Sequence, residues 1–416
     1  MKINKPIVIA LTAIAALGAA STSLSAQNTM SPYSRFGYGL LDNNATSAQR
    51  QMGSVGYAMN SGRQINVMNP ASYAAIDSLT FLFDMGIDFT TLKSSENGVK
   101  EKQYGGGLDY ITMQFPLGKW GGASIGLLPF SSVGYAFGSE LDHGRSSRQG
   151  SGGINQTYLG LSARPFKGFS VGFNLSYLFG STVNDVYVTT ETSSTSLFEQ
   201  EIDVRDWRFQ AGVQYSVDLD SRNRVTLGVV YSPGKTLLGH STVIKYDVQA
   251  DEQPDTMAHN RLKNNYSLPE TWGAGINWHW DNRLMVEADF TYQPWSKAKF
   301  LKVDNFIATQ FADRWQVGLG VAYTHSDRAS YLKRITYRAG AFYNHDYMKV
   351  ADNNVREYGI SCGFGLPAPS GKTRINLGFE YRHRQAHPNP LLKENYFNVT
   401  LGVNFNELWF FKNRLR

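Results

Sequence analysis

The run Gly168-Phe169-Ser170-Val171-Gly172 has the spacing of a nucleophile elbow, in which a strained strand-to-helix turn presents a serine to substrate. Here the alternation of apolar and polar residues continues through Phe173 and Leu175, so a strand is predicted straight through the serine. Gly365 to Thr373 ends in Gly-Lys-Thr like a phosphate-binding loop, but the spacing is one residue too long and Leu366 stands where glycine is needed. His383 and His387 are four apart, which would bring them together on a helix; on a strand they lie too far apart to share a metal. No catalytic residue, metal ligand or cofactor is therefore expected. One set of ionisable residues does share a pattern: Asp84, Asp88, Arg208, Glu287, Asp289, Arg338, Glu380 and Arg382 each alternate with apolar neighbours. They read either as the solvated wall of a polar interior or as an ionic network gripping a segment held inside it.

The elements that must carry these residues are strands. From Leu79 onward the chain runs in segments of about ten residues, alternately apolar and polar, the pattern of a transmembrane barrel. In 284 to 292, Leu284, Val286, Ala288, Phe290 and Tyr292 would face lipid, while Met285, Glu287, Asp289 and Thr291 would face the lumen. The same holds for Trp207 to Tyr215, Trp315 to Tyr323 and Phe397 to Phe405. About fourteen such segments can be traced, starting at 79–92, 106–116 and 120–137 and ending at 373–386 and 395–406, and an even number suits a single-chain bacterial barrel. The fold class expected is all-β, an antiparallel up-and-down transmembrane β-barrel. Short links at 117–119, 165–167, 220–222, 281–282 and 367–372 would be periplasmic turns. Longer links at 93–105, 138–153, 191–199, 234–265 and 297–310 would be external loops, with both termini in the periplasm. Trp120, Trp278, Trp280 and Trp315 would sit near periplasmic strand ends and Trp295 near an external one, as interfacial girdles do.

Composition agrees with a closed sheet. The 416 residues include 40 Gly, 23 Tyr and 24 Phe, with a mean hydropathy of −0.32. Lys2 and Lys5, an apolar run from Ile7 to Ala20 and a small-residue stretch ending at Ala26 read as a secretory signal, residues 1–26, with cleavage after Ala26 or Ser25. That run is too short to span a bilayer as a helix, and no later run is longer. The single Cys362 allows no intrachain disulfide, and no cysteine stands at the cleavage point to carry a lipid anchor. Removing two lysines from a formal charge of +6 leaves +4, scattered and too weak to imply nucleic acid. The partners expected are outer-membrane lipid and either a hydrophobic ligand or protein components of an outer-membrane complex.

Residues 27–78 are rich in Asn, Ser and Gly without a sustained period, so they cannot form a domain alone. A polar lumen could hold them as a hatch, with a disordered periplasmic tail as the alternative; 79–406 would form the barrel and 407–416 a periplasmic tail. The stretch from Gly53 and Gly56 through Asn69-Pro70-Ala71 to Phe81 resembles the segment leading from plug to first strand in FadL-type long-chain fatty-acid transporters. Leu268-Pro269, Asp289, Tyr292, Trp295-Ser296 and Arg338 to Tyr343 resemble the same family. The resemblance implies fourteen strands, an N-terminal hatch, and hydrophobic ligands leaving sideways through a break in the third strand. Independently, Pro129, flanked by Leu127, Leu128 and Phe130, has no N–H for a ladder and marks either such a gap or a harmless bulge. The function expected is passive uptake across the outer membrane of a Gram-negative bacterium of hydrophobic small molecules such as fatty acids. The alternative is a non-transporting barrel of this kind that serves as a subunit or docking partner of an outer-membrane protein export or assembly complex.

Overall fold

A computed structural model describes residues 31–408 apart from 142–143, 191–194, 249–254, 264–265, 301–309, 327–329 and 369–372. The expected signal segment, residues 27–30 and the tail beyond 408 lie outside the described residues. Fourteen antiparallel strands close into a barrel. They are β1 Thr80–Glu96, β2 Val99–Leu117, β3 Gly121–Leu141, β4 Gly144–Phe166, β5 Phe169–Thr190, β6 Thr195–Asp218 and β7 Asn223–Ser232. The second half comprises β8 Thr271–Trp280, β9 Leu284–Gln293, β10 Arg314–Thr324, β11 Thr336–Val350, β12 Asn353–Pro367, β13 Arg374–His387 and β14 Lys393–Leu408. Closure is made by β1 against β14, in register from Thr80 with Leu408 to Ser95 with Lys393.

Alternation sets the two faces. On β9 Glu287 and Asp289 point inward and are buried, while Phe290 is exposed on the outside. On β6 Trp207, Phe209, Val213 and Tyr215 are exposed and Gln214 is fully buried. A barrel in lipid inverts the usual rule: apolar side chains face outward and polar ones fill the interior. No described helix is long and apolar enough to cross a membrane, and the exposed apolar faces belong to strands.

The expected external loops are largely strand. Residues 93–105 form a hairpin turning at Asn97-Gly98, both with positive φ (47° and 86°), the conformation a two-residue hairpin turn demands. β3 to β6 likewise run on through most of 138–153 and 191–199, rising beyond the rest of the barrel. Within 234–265 a further hairpin, Gly239–Val248 with Asp255–Lys263, adds to the outer part of β6. Counting loop lengths therefore picked out the end with the longer connections while mistaking hairpin for loop.

The N-terminal segment fills the interior. Ser31 begins at the outer end, where its hydroxyl donates to Glu394. The chain then descends through a turn of helix at Ser47–Arg50 to a 3-10 helix at Pro70–Ala75 and enters β1 at the opposite rim. The expectation that both ends of the mature chain lie at the periplasmic rim thus fails for the first described residues. Two tryptophans also depart from the expected girdle. Trp295 is buried inside, its ring 4.5 Å from Tyr347 and 5.8 Å from Tyr38 of the plug. Trp315 pairs with Tyr292 and His345 at the outer end, because β10 runs inward from that side.

Candidate functional site

Two features could carry function: the contact between the inner segment and the wall, and a seam in the wall itself. The inner segment lies with its backbone against wall glycines. A Cβ at Gly228 would overlap the Tyr57 carbonyl, and one at Gly340 would overlap Met52 and Gly53. Lumen-facing glycines are what permit so close an approach.

Charge fixes this contact at three levels. Asp289 accepts from the Gly56 and Tyr57 amides at 2.6 and 2.9 Å, and Glu287 accepts from the Ala58 amide at 2.9 Å. Three successive backbone donors are thus satisfied by two wall carboxylates, each such bond contributing about 1.5–3 kcal/mol. Higher up, the Arg50 guanidinium bridges Asp42 of the same segment (2.8 Å) and Asp109 of β2 (2.7 Å). Asp109 is the extra residue in a bulge between β1 and β2, where Gly86 pairs with Tyr110 and Ile87 with Leu108. The bulge turns both Asp109 and Tyr110 inward, which re-aims the carboxylate at Arg50. Third, Arg338 donates to Gln51 of the segment and to Asn376.

Of the predicted ionic set, Glu287, Asp289 and Arg338 bond the inner segment directly. Asp84 reaches it through Tyr110, whose hydroxyl donates to Asp84 at 2.7 Å and accepts from the Ser47 amide at 2.9 Å. Glu380 and Arg382 pair with each other at 2.9 Å, and Arg382 also reaches Glu357. Asp88 accepts from Thr90, and Arg208 lies over the Phe130 ring at 5.8 Å. Sequence reading missed Arg50, Asp42 and Asp109, and also the buried group in which Arg384 pairs with Glu357 at 2.9 Å and lies 3.7 Å from Asp346. Asp42 and Arg50 lack strand alternation to mark them, and Asp109 breaks the alternation because it sits in the bulge.

The motif residues have distinct local roles. Gly53 has φ +69°, and its amide donates to Ser361 at 2.9 Å. Asn69 caps the 3-10 helix by accepting from the Ala71 amide, and its own amide donates to the Tyr57 carbonyl at 2.7 Å. Pro70 and Ala71 start that helix and are buried against the Gly172 backbone. Ser170 lies in β5 facing inward and buried, while His383 lies on β13, one ring nitrogen 2.8 Å from Asn395.

The seam lies between β2 and β3. Their register holds only from Leu117 with Gly121 up to Ile111 with Leu127. Above that, β2 from Val99 to Tyr110 has no partner in β3 among the described residues, although β3 stays paired to β4 as far as Leu141. Just above the parting point β3 bulges: Pro129 pairs with Asn155 and Ser131 with Ile154, leaving Phe130 unpaired with β4. The inner segment covers part of the exposed edge. Leu40–Leu41 forms a two-residue strand against Ser132 and Ser131, the Asp42 amide donates to the Phe130 carbonyl at 3.0 Å, and Ser34 and Gly134 bond each other in both directions. The four predicted residues do not converge on the seam. Leu127 faces outward, whereas Leu128 is buried among Tyr73, Tyr110 and Tyr158 lower in the lumen. Pro129 lines a cavity of about 120 Å³ at the seam, and Phe130 one of about 60 Å³ within the lumen.

A family model described as BamG matches residues 3–416. No curated protein matches. Among solved structures, a FadL homologue from Pseudomonas aeruginosa superposes with a TM-score of 0.61 at 14% identity, covering 89% of this chain and 100% of that one. The toluene transporter TodX of Pseudomonas putida gives 0.59 at 14% identity, covering 89% and 99%. The toluene transporter TbuX of Ralstonia pickettii gives 0.58 at 13%, covering 86% and 97%. Identities this low speak for the shared fold.

Proposed function

Because the chain belongs to the BamG family, we propose that it is a non-transporting outer-membrane barrel that serves as a subunit or docking partner of an outer-membrane protein export or assembly complex. The observation that carries this reading is the filled lumen. Below the groove at the outer mouth, the described cavities between the inner segment and the wall measure only about 50, 60 and 120 Å³. A pocket for a small organic ligand usually needs roughly 300 Å³ or more. The segment is also tied to the wall by buried charge, which opposes its leaving as a ligand passes. Extraction in a gentle detergent followed by affinity capture tests the proposal. Stoichiometric outer-membrane protein partners without extractable fatty acid or hydrocarbon are expected; a solitary barrel with a bound fatty acid or hydrocarbon would refute it.

A second reading, uptake of hydrophobic small molecules such as fatty acids, is favoured by one observation, the parted β2–β3 seam beside Pro129. An apolar ligand could leave sideways there into the bilayer. Pro129→Val combined with Ser131→Phe would narrow the seam. On the uptake reading this double variant loses accumulation of a hydrophobic probe while keeping its resistance to SDS before boiling; on the docking reading the wild-type chain shows no such accumulation.

A further inference from the structure

At the outer mouth a groove of about 880 Å³ lies between the β1–β2 hairpin on one side and β3 on the other, above the point where β2 and β3 part. Its lining is largely apolar: Tyr33 and Phe36 of the inner segment, Val99, Phe137, Val350 and Leu392. Arg35 stands in it with the guanidinium 4.6 Å from the Phe36 ring and 5.2 Å from the Phe137 ring. Its Nε is buried and has no acceptor. Arg148 stands directly across from Phe137 in the β3–β4 register, so its side chain rises on the same face. Neither arginine has an acidic partner at contact distance among the described residues, although Glu96, Glu101 and Asp352 line the groove elsewhere. Burial first, and then the like charge of Arg148, push the Arg35 guanidinium below its ordinary range, with Tyr135 and Glu96 opposing more weakly.

The Arg35 guanidinium lies against the Phe137 ring and Arg148 stands across from that residue, with no carboxylate paired to either among the described residues, which leaves a cationic cradle. A phosphate offers three oxygens and up to two charges, enough to engage both forks at once. Because the groove opens into the seam, an alkyl chain attached to that phosphate can reach the apolar lining from the bilayer side without crossing a hydrogen-bonded wall. We propose that this groove binds a phosphorylated lipid of the outer leaflet, its phosphate between Arg35 and Arg148 and an acyl chain along Phe36, Phe137 and Val350. The site is independent of the docking role and would serve a transporting barrel equally.

Isothermal titration of the intact barrel in a maltoside detergent tests this with four probes: dodecyl phosphate, dodecanoate, dodecanol and inorganic phosphate. One dodecyl phosphate per barrel is expected, at least ten-fold tighter than any of the other three. Arg148→Gln, on the wall strand β4, is expected to lose most of that advantage. Arg35→Gln with Arg148→Gln should bring dodecyl phosphate down to the level of dodecanol while the unboiled gel mobility stays unchanged. Equal binding of dodecanol, or an unaltered double variant, overturns the site. Inorganic phosphate binding as tightly as dodecyl phosphate would make it a free-anion site, and dodecanoate doing so would make it a carboxylate site; either result overturns the lipid phosphate. Should the double variant fail to fold, Arg148→Gln alone decides, and native mass spectrometry of barrel extracted from its own membrane should show a phospholipid or phosphoglycolipid adduct.

Discussion

At the scale of single residues, the interior is governed by charges that face one another. Arg50 holds two carboxylates, Asp42 and Asp109, and the second Asp109 oxygen is buried without a hydrogen-bond partner among the described residues. Removing one member of a buried pair leaves the other uncompensated, which destabilises by about 3–5 kcal/mol. Arg50→Ala is therefore expected to lower the thermal midpoint and to open the inner segment to trypsin, with the barrel still resisting SDS before boiling. Arg50→Lys should recover only part of this, since one ammonium does not span two carboxylates as a planar fork does. A variant as stable and as protease-resistant as wild type would show that the contact carries no weight.

Elements were more legible than individual contacts. Each of the fourteen strands overlaps a segment found by alternation, because in lipid both faces of every strand are chemically enforced and the period of two survives in residues such as Leu284 to Tyr292. What alternation could not see is what breaks it: the Asp109 bulge, and the outer hairpins whose polar residues look like loop on either face. Asn97-Gly98 was the available signal for the first of those hairpins. Pro129 announced an irregularity, but the extent of the seam depends on which strand β2 fails to reach, a tertiary fact. The pairing of Leu40–Leu41 with β3 can be tested by cross-linking. In a Cys362→Ser background, Leu40→Cys with Ser132→Cys places two thiols on directly paired residues, a separation that suits a disulfide. Oxidation should give a species of altered mobility on a non-reducing gel that reductant reverses. No cross-link would mean that the segment does not lie along this edge.

For the whole molecule, a closed sheet with its polar groups paired should resist SDS until heated, so unboiled and boiled samples are expected to migrate differently; a protein recovered from the soluble periplasm would contradict the architecture. The path of the chain adds a constraint on how this object is made. From Ser31 at the outer mouth it descends through the lumen, becomes β1 at the opposite rim, and closes only when β1 meets β14, with Thr80 beside Leu408. Topologically the product is a ring with its own leading end passed through it. The bulky, hydrogen-bonded interior leaves no bore through which that end could be drawn afterwards. A wall that wraps an already placed thread needs no such bore, so β1–β14 pairing is expected to be the last event in assembly, with the sheet held open until residues 31–79 are in place.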